Sequence, residues 1–232
     1  MSKKILFVVT GARHWTLADG SEHPTGFWAE ELVAPYKTFI EGGYQVDFAT
    51  PGAVAPVVDE ASLAPDVNGG QEQADAIAQF VKDLAALKTP LKLEDVTLGD
   101  YAAVFYPGGH GPMEDLAVNA DSARLLVETL ESGRPLGIVC HAPAALLATE
   151  ADGASPFSGY HLTGFTNAEE QQAGLADKAK WLLQDRLVKL GTQFDEGEPW
   201  APHTVVDRNL YTGQNPASSE PLSRQILEAL QK

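Results

Sequence analysis

Cysteine is almost absent: Cys140 is the only one in 232 residues. A lone thiol excludes an intramolecular disulfide and a cysteine-based zinc site. Basic side chains are scarce too, with 16 Lys and Arg against 32 Asp and Glu, for a net charge of −16. That excess repels phosphate backbones and anionic bilayers, so neither nucleic acid nor membrane is an expected partner. Long apolar runs are missing. The opening run, residues 5–9, is too short for a signal-peptide core or a membrane span, and no other segment reaches spanning length. The expectation is a soluble, cytoplasmic protein. Metal-ligand spacing is lacking as well: His14 and His23 share an early loop without a third ligand, so neither a metal nor any other cofactor is expected.

What is present is an ordinary globular composition, 44% hydrophobic and 21% charged. With no internal repeat and no low-complexity linker, residues 1–232 read as a single α/β domain. Short β-rich apolar runs at residues 5–9, 46–50, 101–106 and 135–139 each stop at Gly, Pro or Cys and predict buried strands. A further strand is expected at residues 162–165 and a hairpin around Asp207-Arg208-Asn209. Helices are predicted over residues 25–40, over an amphipathic stretch from Ala74 to Leu87, through Leu125 to Gly133, over residues 144–148 and 178–190, and from Ser219 onward. Residues 53–70, rich in Pro, Ala and Gly, read as loop. Strands alternating with helices give right-handed crossovers and a doubly wound, mostly parallel sheet with helices on both faces. Ligands in such sheets bind beyond the carboxyl ends of the strands.

The strongest chemical signal is Ile138-Val139-Cys140-His141-Ala142-Pro143. An apolar strand runs directly into a cysteine and a helix begins at once, the pattern of a nucleophile elbow. A helix N-terminus favours the thiolate. Pro107-Gly108-Gly109-His110-Gly111 follows another strand. Its amides are candidates for half of an oxyanion hole, with the His141 amide as the other half. The spacing does not fit a dinucleotide-binding fingerprint. In the first helix Glu30 and Glu31 point about 100° apart, so only one of them can face a site, where a buried carboxyl beside a thiol could stay protonated. Glu169 and Glu170 follow the strand near residue 165, and either could orient the His141 ring.

These blocks, taken in order, resemble the ThiJ/PfpI superfamily, and within it the heat-shock glyoxalase III and chaperone branch. The likeness rests on Thr25-Gly26 with Glu31 and Pro35, on Gly42-Gly43-Tyr44-Gln45-Val46-Asp47-Phe48, and on Asn68-Gly69-Gly70. It continues through Gly109-His110-Gly111, Cys140-His141-Ala142-Pro143, Thr163-Gly164-Phe165-Thr166 and Thr212-Gly213-Gln214-Asn215-Pro216-Ala217-Ser218. The resemblance implies a flavodoxin-like fold, a Cys140–His141–Glu170 triad, and Glu31 rather than Glu30 beside the thiol. It places Gly109, His110, Gly111 and His141 around the substrate. It implies a glutathione-independent conversion of methylglyoxal or a similar 2-oxoaldehyde to a 2-hydroxy acid without a cofactor. It also implies a homodimer, and misfolded or glycated proteins as further partners. Cys-His-Ala-Pro stands here where the family usually has Cys-His-Gly-Pro. A cysteine hydrolase and a stress chaperone independent of Cys140 are the alternative readings. A glutamine amidotransferase is disfavoured, because Ile138 and Ala142 stand where its elbow needs glycines and His203 is followed by Thr204 and Val205.

Overall fold

The computed structural model describes residues 3–232; Met1 and Ser2, at the start of the expected 1–232 domain, lie outside the described residues. The apolar runs form the centre of a seven-stranded sheet. Its strands are β1 (Lys4–Val8), β4 (Gln45–Thr50), β5 (Leu91–Lys92), β6 (Ala103–Tyr106), β7 (Leu136–Val139), β10 (Thr204–Asp207) and β11 (Leu210–Gly213), in the order β10-β11-β7-β6-β1-β4-β5. All pairings are parallel except that of edge strand β10 with β11, the hairpin turning at Arg208-Asn209. The run β4-β1-β6-β7-β11 is the flavodoxin-like 2-1-3-4-5 order, so the chain reverses its winding between β1 and β6.

Two helical layers cover the sheet. α1 (Ala29–Glu41) packs on α7 (Ser219–Leu230) and on α2 (Gln71–Asp83). α4 (Ala120–Ser132) packs instead on a 3₁₀ helix over Ala142–Thr149. Asn119 caps α4 at its start, and Gly133 ends it in the left-handed region at φ 72°. Between sheet and helices, Phe7 meets Phe39, Phe48 and Phe105 at centroid distances of 6.0, 5.6 and 5.0 Å. Among the described residues no helix is long and apolar enough to cross a membrane.

Several expected boundaries move, each for a backbone reason. The helix expected over residues 25–40 begins only at Ala29, because the Phe27 N–H donates to Val57 and the Phe27 carbonyl accepts from Asp59. The amphipathic stretch after Ala74 breaks at Leu84 into α2 and α3 (Ala85–Lys88). The expected strand at residues 162–165 shrinks to β8 (His161–Leu162), which pairs with β9 (Gln193–Phe194) in a separate small sheet. Residues beyond Leu162 are drawn off it: the Thr163 N–H donates to Thr212 and the Phe165 N–H to the Cys140 carbonyl. The helix expected over residues 178–190 is only α6 (Leu183–Lys189), since the Lys178 carbonyl is taken by Ala18 and Leu182 is extended. A hairpin of β2 (His14–Thr16) and β3 (Glu22–Pro24) has no counterpart in the expectation; it carries the buried Trp15.

Phe7 touches rings from α1, β4 and β6, so truncating it opens a cavity that no single element can close. Phe7→Ala should lower the unfolding free energy by about 3–5 kcal/mol. The check is urea unfolding, in which the midpoint falls while the slope stays constant.

Candidate active site

Cys140 follows the last residue of β7 and takes φ 60°, a left-handed conformation unusual for a side-chain-bearing residue. Such a residue stores about 1–3 kcal/mol and needs fixing from both sides. Its N–H donates to the Gly213 carbonyl at 2.9 Å, and its carbonyl accepts from Phe165 at 2.8 Å. The next helix, Ala142–Thr149, is 3₁₀ rather than α, with Pro143 in its first turn. This is the sharp strand-to-helix turn that the motif predicts. It leaves the thiol only 3% exposed.

The Cys140 Sγ lies 3.2 Å from His141 Nδ1, and His141 Nε2 lies 2.7 Å from Glu170 Oε2. Glu170 sits in α5 (Asn167–Gln172), and its neighbour Glu169 is fully engaged elsewhere. Glu169 closes a capping box with Thr166, and its Oε1 accepts from the Trp200 N–H at 2.8 Å and from Asn215 Nδ2 at 2.9 Å. Adjacent carboxylates on one short helix thus face different partners. Burial alone would raise the Glu170 carboxyl; the charge of His141 and hydrogen bonds from His110 and His141 outweigh it and hold the group well below the ordinary carboxylate range.

Glu31 enters from the first turn of α1 and is completely buried. Pro35, four residues on, cannot donate the helical hydrogen bond to the Glu31 carbonyl. Glu31 Oε2 accepts the Gly108 N–H at 2.7 Å. Oε1 has no hydrogen-bond partner among the described residues, and the carboxyl lies beside Cys140, both of them crowding the place where a Gly108 Cβ would stand. Burial pushes the Glu31 carboxyl up to about 8, so at neutral pH it holds a proton. Burial, and then the Glu31 carboxylate, push the Cys140 thiol up as well. Both groups therefore hold their protons at neutral pH, which replaces the freely ionised thiolate expected from the helix N-terminus alone. Glu30 faces away, into a groove beside Glu220 of α7.

The glycine segment separates into distinct tasks. The Gly109 amide lies near enough to Cys140 to favour its ionised form, against the effect of burial. Its φ of 89° and its contact with the Gly26 carbonyl, 2.5 Å from where a Cβ would stand, admit no other residue. The Gly111 N–H is committed to the Gly26 carbonyl, so it is not a free donor for a substrate anion. The resemblance places His110 near the substrate only. It does line a cavity of about 480 Å³ with Trp28, Val58 and Leu175, but its Nε2 also lies 2.8 Å from Glu170 Oε1. Two imidazoles therefore flank one carboxylate. Burial, and then the charge of His141, lower the affinity of His110 for a proton. His110 stacks on Trp15 at 4.9 Å and lies 3.9 Å from His141, with Phe165 beyond at 4.2 Å. Trp15, from the unexpected hairpin, gave no sequence signal beyond being a tryptophan in a polar segment.

Glu31 imposes a pH dependence on stability. Its ordinary carboxyl value is 4.5 and its folded value about 8, so between the two only the folded chain holds the proton. Wild-type stability therefore falls as pH rises through that window, and the loss is complete above about pH 8. Glu31→Gln carries an amide at every pH and should remove this fall, which is of the order of a few kcal/mol. Urea titrations of both proteins at about pH 5 and pH 8.5 measure the difference; parallel curves would contradict the assignment.

A family model described as ThiJ/PfpI family-like matches residues 23–163. The chain is 32% identical, over 98% of both sequences, to the glutathione-independent glyoxalase HSP31 of Saccharomyces cerevisiae. It is 31% identical to the protein/nucleic acid deglycase HchA of Staphylococcus aureus, over 98% of this chain and 81% of that one. Among solved structures it is similar to a glyoxalase III from Candida albicans, with a TM-score of 0.80 at 25% identity, covering 97% of this chain and 96% of that one. With a family model spanning more than half of the sequence and relatives aligned along nearly all of it, the chain belongs to the ThiJ/PfpI family.

Proposed function

We propose that this chain is a glutathione-independent glyoxalase that converts methylglyoxal or a similar 2-oxoaldehyde, with water, into a 2-hydroxy acid. The observation that carries the reading is the hydrogen-bonded sequence Cys140–His141–Glu170 at the strand ends with buried Glu31 beside the thiol, in a chain alignable end to end with a glyoxalase of that kind. With His141 Nε2–H given to Glu170, Nδ1 is the free basic nitrogen facing Sγ. Nδ1 takes the thiol proton as sulfur adds to the aldehyde carbon, and the carbonyl π pair moves to oxygen beside the Gly109 and His141 amides. Imidazolium returns its proton to that oxygen, giving a hemithioacetal. Freed again, Nδ1 removes the hydrogen on the same carbon as a proton. The electron pair left behind forms an enediolate, the hydroxyl proton passes from the first oxygen to the second, and the imidazolium returns its proton to the neighbouring carbon, giving a 2-hydroxy thioester. Water cleaves the thioester, releasing the acid and restoring the thiol. Protonated Glu31 donates to sulfur whenever sulfur is anionic, and so favours the thiolate as nucleophile and as leaving group.

A related reading is supported by the cavity beside His110. At about 480 Å³ it exceeds what a three-carbon dicarbonyl fills, and it leaves room for a side chain already modified by one. The relative named a deglycase acts on such adducts by its name, on protein and nucleic acid. The net charge of −16 weighs against a groove for a phosphate backbone, and does not bear on an adduct carried by a single base.

Purified protein given methylglyoxal in the presence of EDTA and without glutathione should form lactate. Cys140→Ser should fold normally and lose at least about a hundredfold in turnover, because a hydroxyl is far less readily ionised. Glu31→Gln should impair turnover severely, whereas Glu30→Gln should stay near wild type. Full lactate production by folded Cys140→Ser would sink the mechanism, and the reverse ranking of the two glutamates would sink the role of Glu31.

A further inference from the structure

We propose that His110, His141 and Glu170 together form a binding site for a divalent transition-metal ion, Zn²⁺ in particular, and that its occupation reversibly shuts the enzyme down. The inhibitory half of this rests on the glyoxalase reading; the binding half does not. All three residues are buried, and one ligand atom from each lies within 4.8 Å of the others. The two Nε2 atoms approach the two oxygens of a single carboxylate at 2.8 and 2.7 Å. Two imidazoles and a carboxylate are a donor set that suits zinc, with bonds of about 2.0–2.2 Å. At that length tetrahedral ligand atoms stand about 3.3 Å apart. The nitrogen–oxygen gaps therefore open by about half an ångström and the widest separation in the set, up to 4.8 Å, closes by about 1.5 Å to admit the ion.

Two further features favour the site. His110 lines the cavity, so an ion has a route in and water can fill the fourth position. The rings are already held between Trp15 and Phe165, tilted 37° to one another, so little ordering is left to be done on binding. The proton inventory balances. Each imidazole shifts its proton from Nε2 to Nδ1, the metal takes the vacated Nε2 lone pairs, and no proton is released. The consequence for catalysis is direct. His141 Nδ1 is the atom 3.2 Å from Sγ, and once protonated it cannot accept the thiol proton. Cys140 itself faces Nδ1, the opposite edge of the ring from the metal, and is not a ligand.

The test uses Co²⁺ as a visible probe for the full-length protein and Zn²⁺ as the inhibitor. Co²⁺ should give saturable tetrahedral d–d absorption at one ion per chain, without the near-ultraviolet band of cobalt bound to thiolate. Zn²⁺ should bleach that spectrum and inhibit methylglyoxal turnover, and EDTA should restore the activity. His110→Gln, which keeps a donor toward Glu170 but is a poor ligand, should weaken Co²⁺ binding at least about tenfold. A His14→Ala/His203→Ala double variant removes the two surface histidines that sit beside carboxylates, and should bind Co²⁺ as wild type does. No saturable band, a thiolate band, undiminished binding by His110→Gln, or lost binding in the surface variant would each overturn the site. Cobalt binding as described with turnover unaffected by Zn²⁺ would overturn the inhibition. Cobalt binding with no turnover even in EDTA would instead overturn the glyoxalase reading and leave the site standing.

Discussion

A carboxyl group buried without a cation is the constraint from which the rest of the site follows. Glu31 has one backbone donor, from Gly108, and no hydrogen-bond partner for its other oxygen among the described residues. Ionising it in that place is costly, so it keeps its proton and becomes a donor. For the donor to reach sulfur, α1 must end its first turn against the β6–α4 connection, and Gly108 must have no side chain. A Cβ there would stand 2.6 Å from the Glu31 carboxylate and 2.9 Å from Cys140 Cβ. The strained φ of Cys140 serves the same contact from the other side, and the Gly213 and Phe165 hydrogen bonds hold it in place. Protonated acid, glycine and elbow are one arrangement seen from three elements.

The imidazoles are fixed by a second device. Trp15, His110, His141, Phe165 and Trp200 form a continuous file of rings, with neighbouring centroids 4.9, 3.9, 4.2 and 5.5 Å apart. The file joins the β2–β3 hairpin, the β6 and β7 loops, the start of α5 and the segment before β10. Aromatic packing of this kind restrains ring rotation while leaving the nitrogens free to hydrogen-bond. Glu170 then fixes the in-plane orientation of both histidines through its two oxygens.

Much of this was legible in the sequence, for definable reasons. Central strands flanked on both faces must be apolar throughout, so β1, β4, β6 and β7 announce themselves as runs. Cys140 was legible because strand, cysteine and proline-led helix stand in immediate succession. The choice between Glu169 and Glu170 was open, yet Thr166-Asn167-Ala168-Glu169 is itself a capping-box pattern, which assigns Glu169 to the helix end and frees Glu170. What the sequence hid was long-range. Nothing local marks His110 as a second partner of Glu170, because 60 residues separate the two. The segments after Leu162 and Lys178 read as strand and helix by periodicity. They lost those forms to hydrogen bonds with Thr212, Cys140 and Ala18, which no local pattern reports.

The capping box has a consequence for the order in which a newly made chain becomes competent. Cys140, His141 and Glu170 have all left the ribosome well before Trp200 and Asn215, the two groups that lock Glu169 and with it the turn carrying Glu170. Gly213, which receives the Cys140 N–H, emerges in the same late stretch. A chain arrested near residue 195 contains every reactive group but lacks Trp200, Gly213 and Asn215, three of the groups that align them. The strand that completes the sheet also sets the thiol.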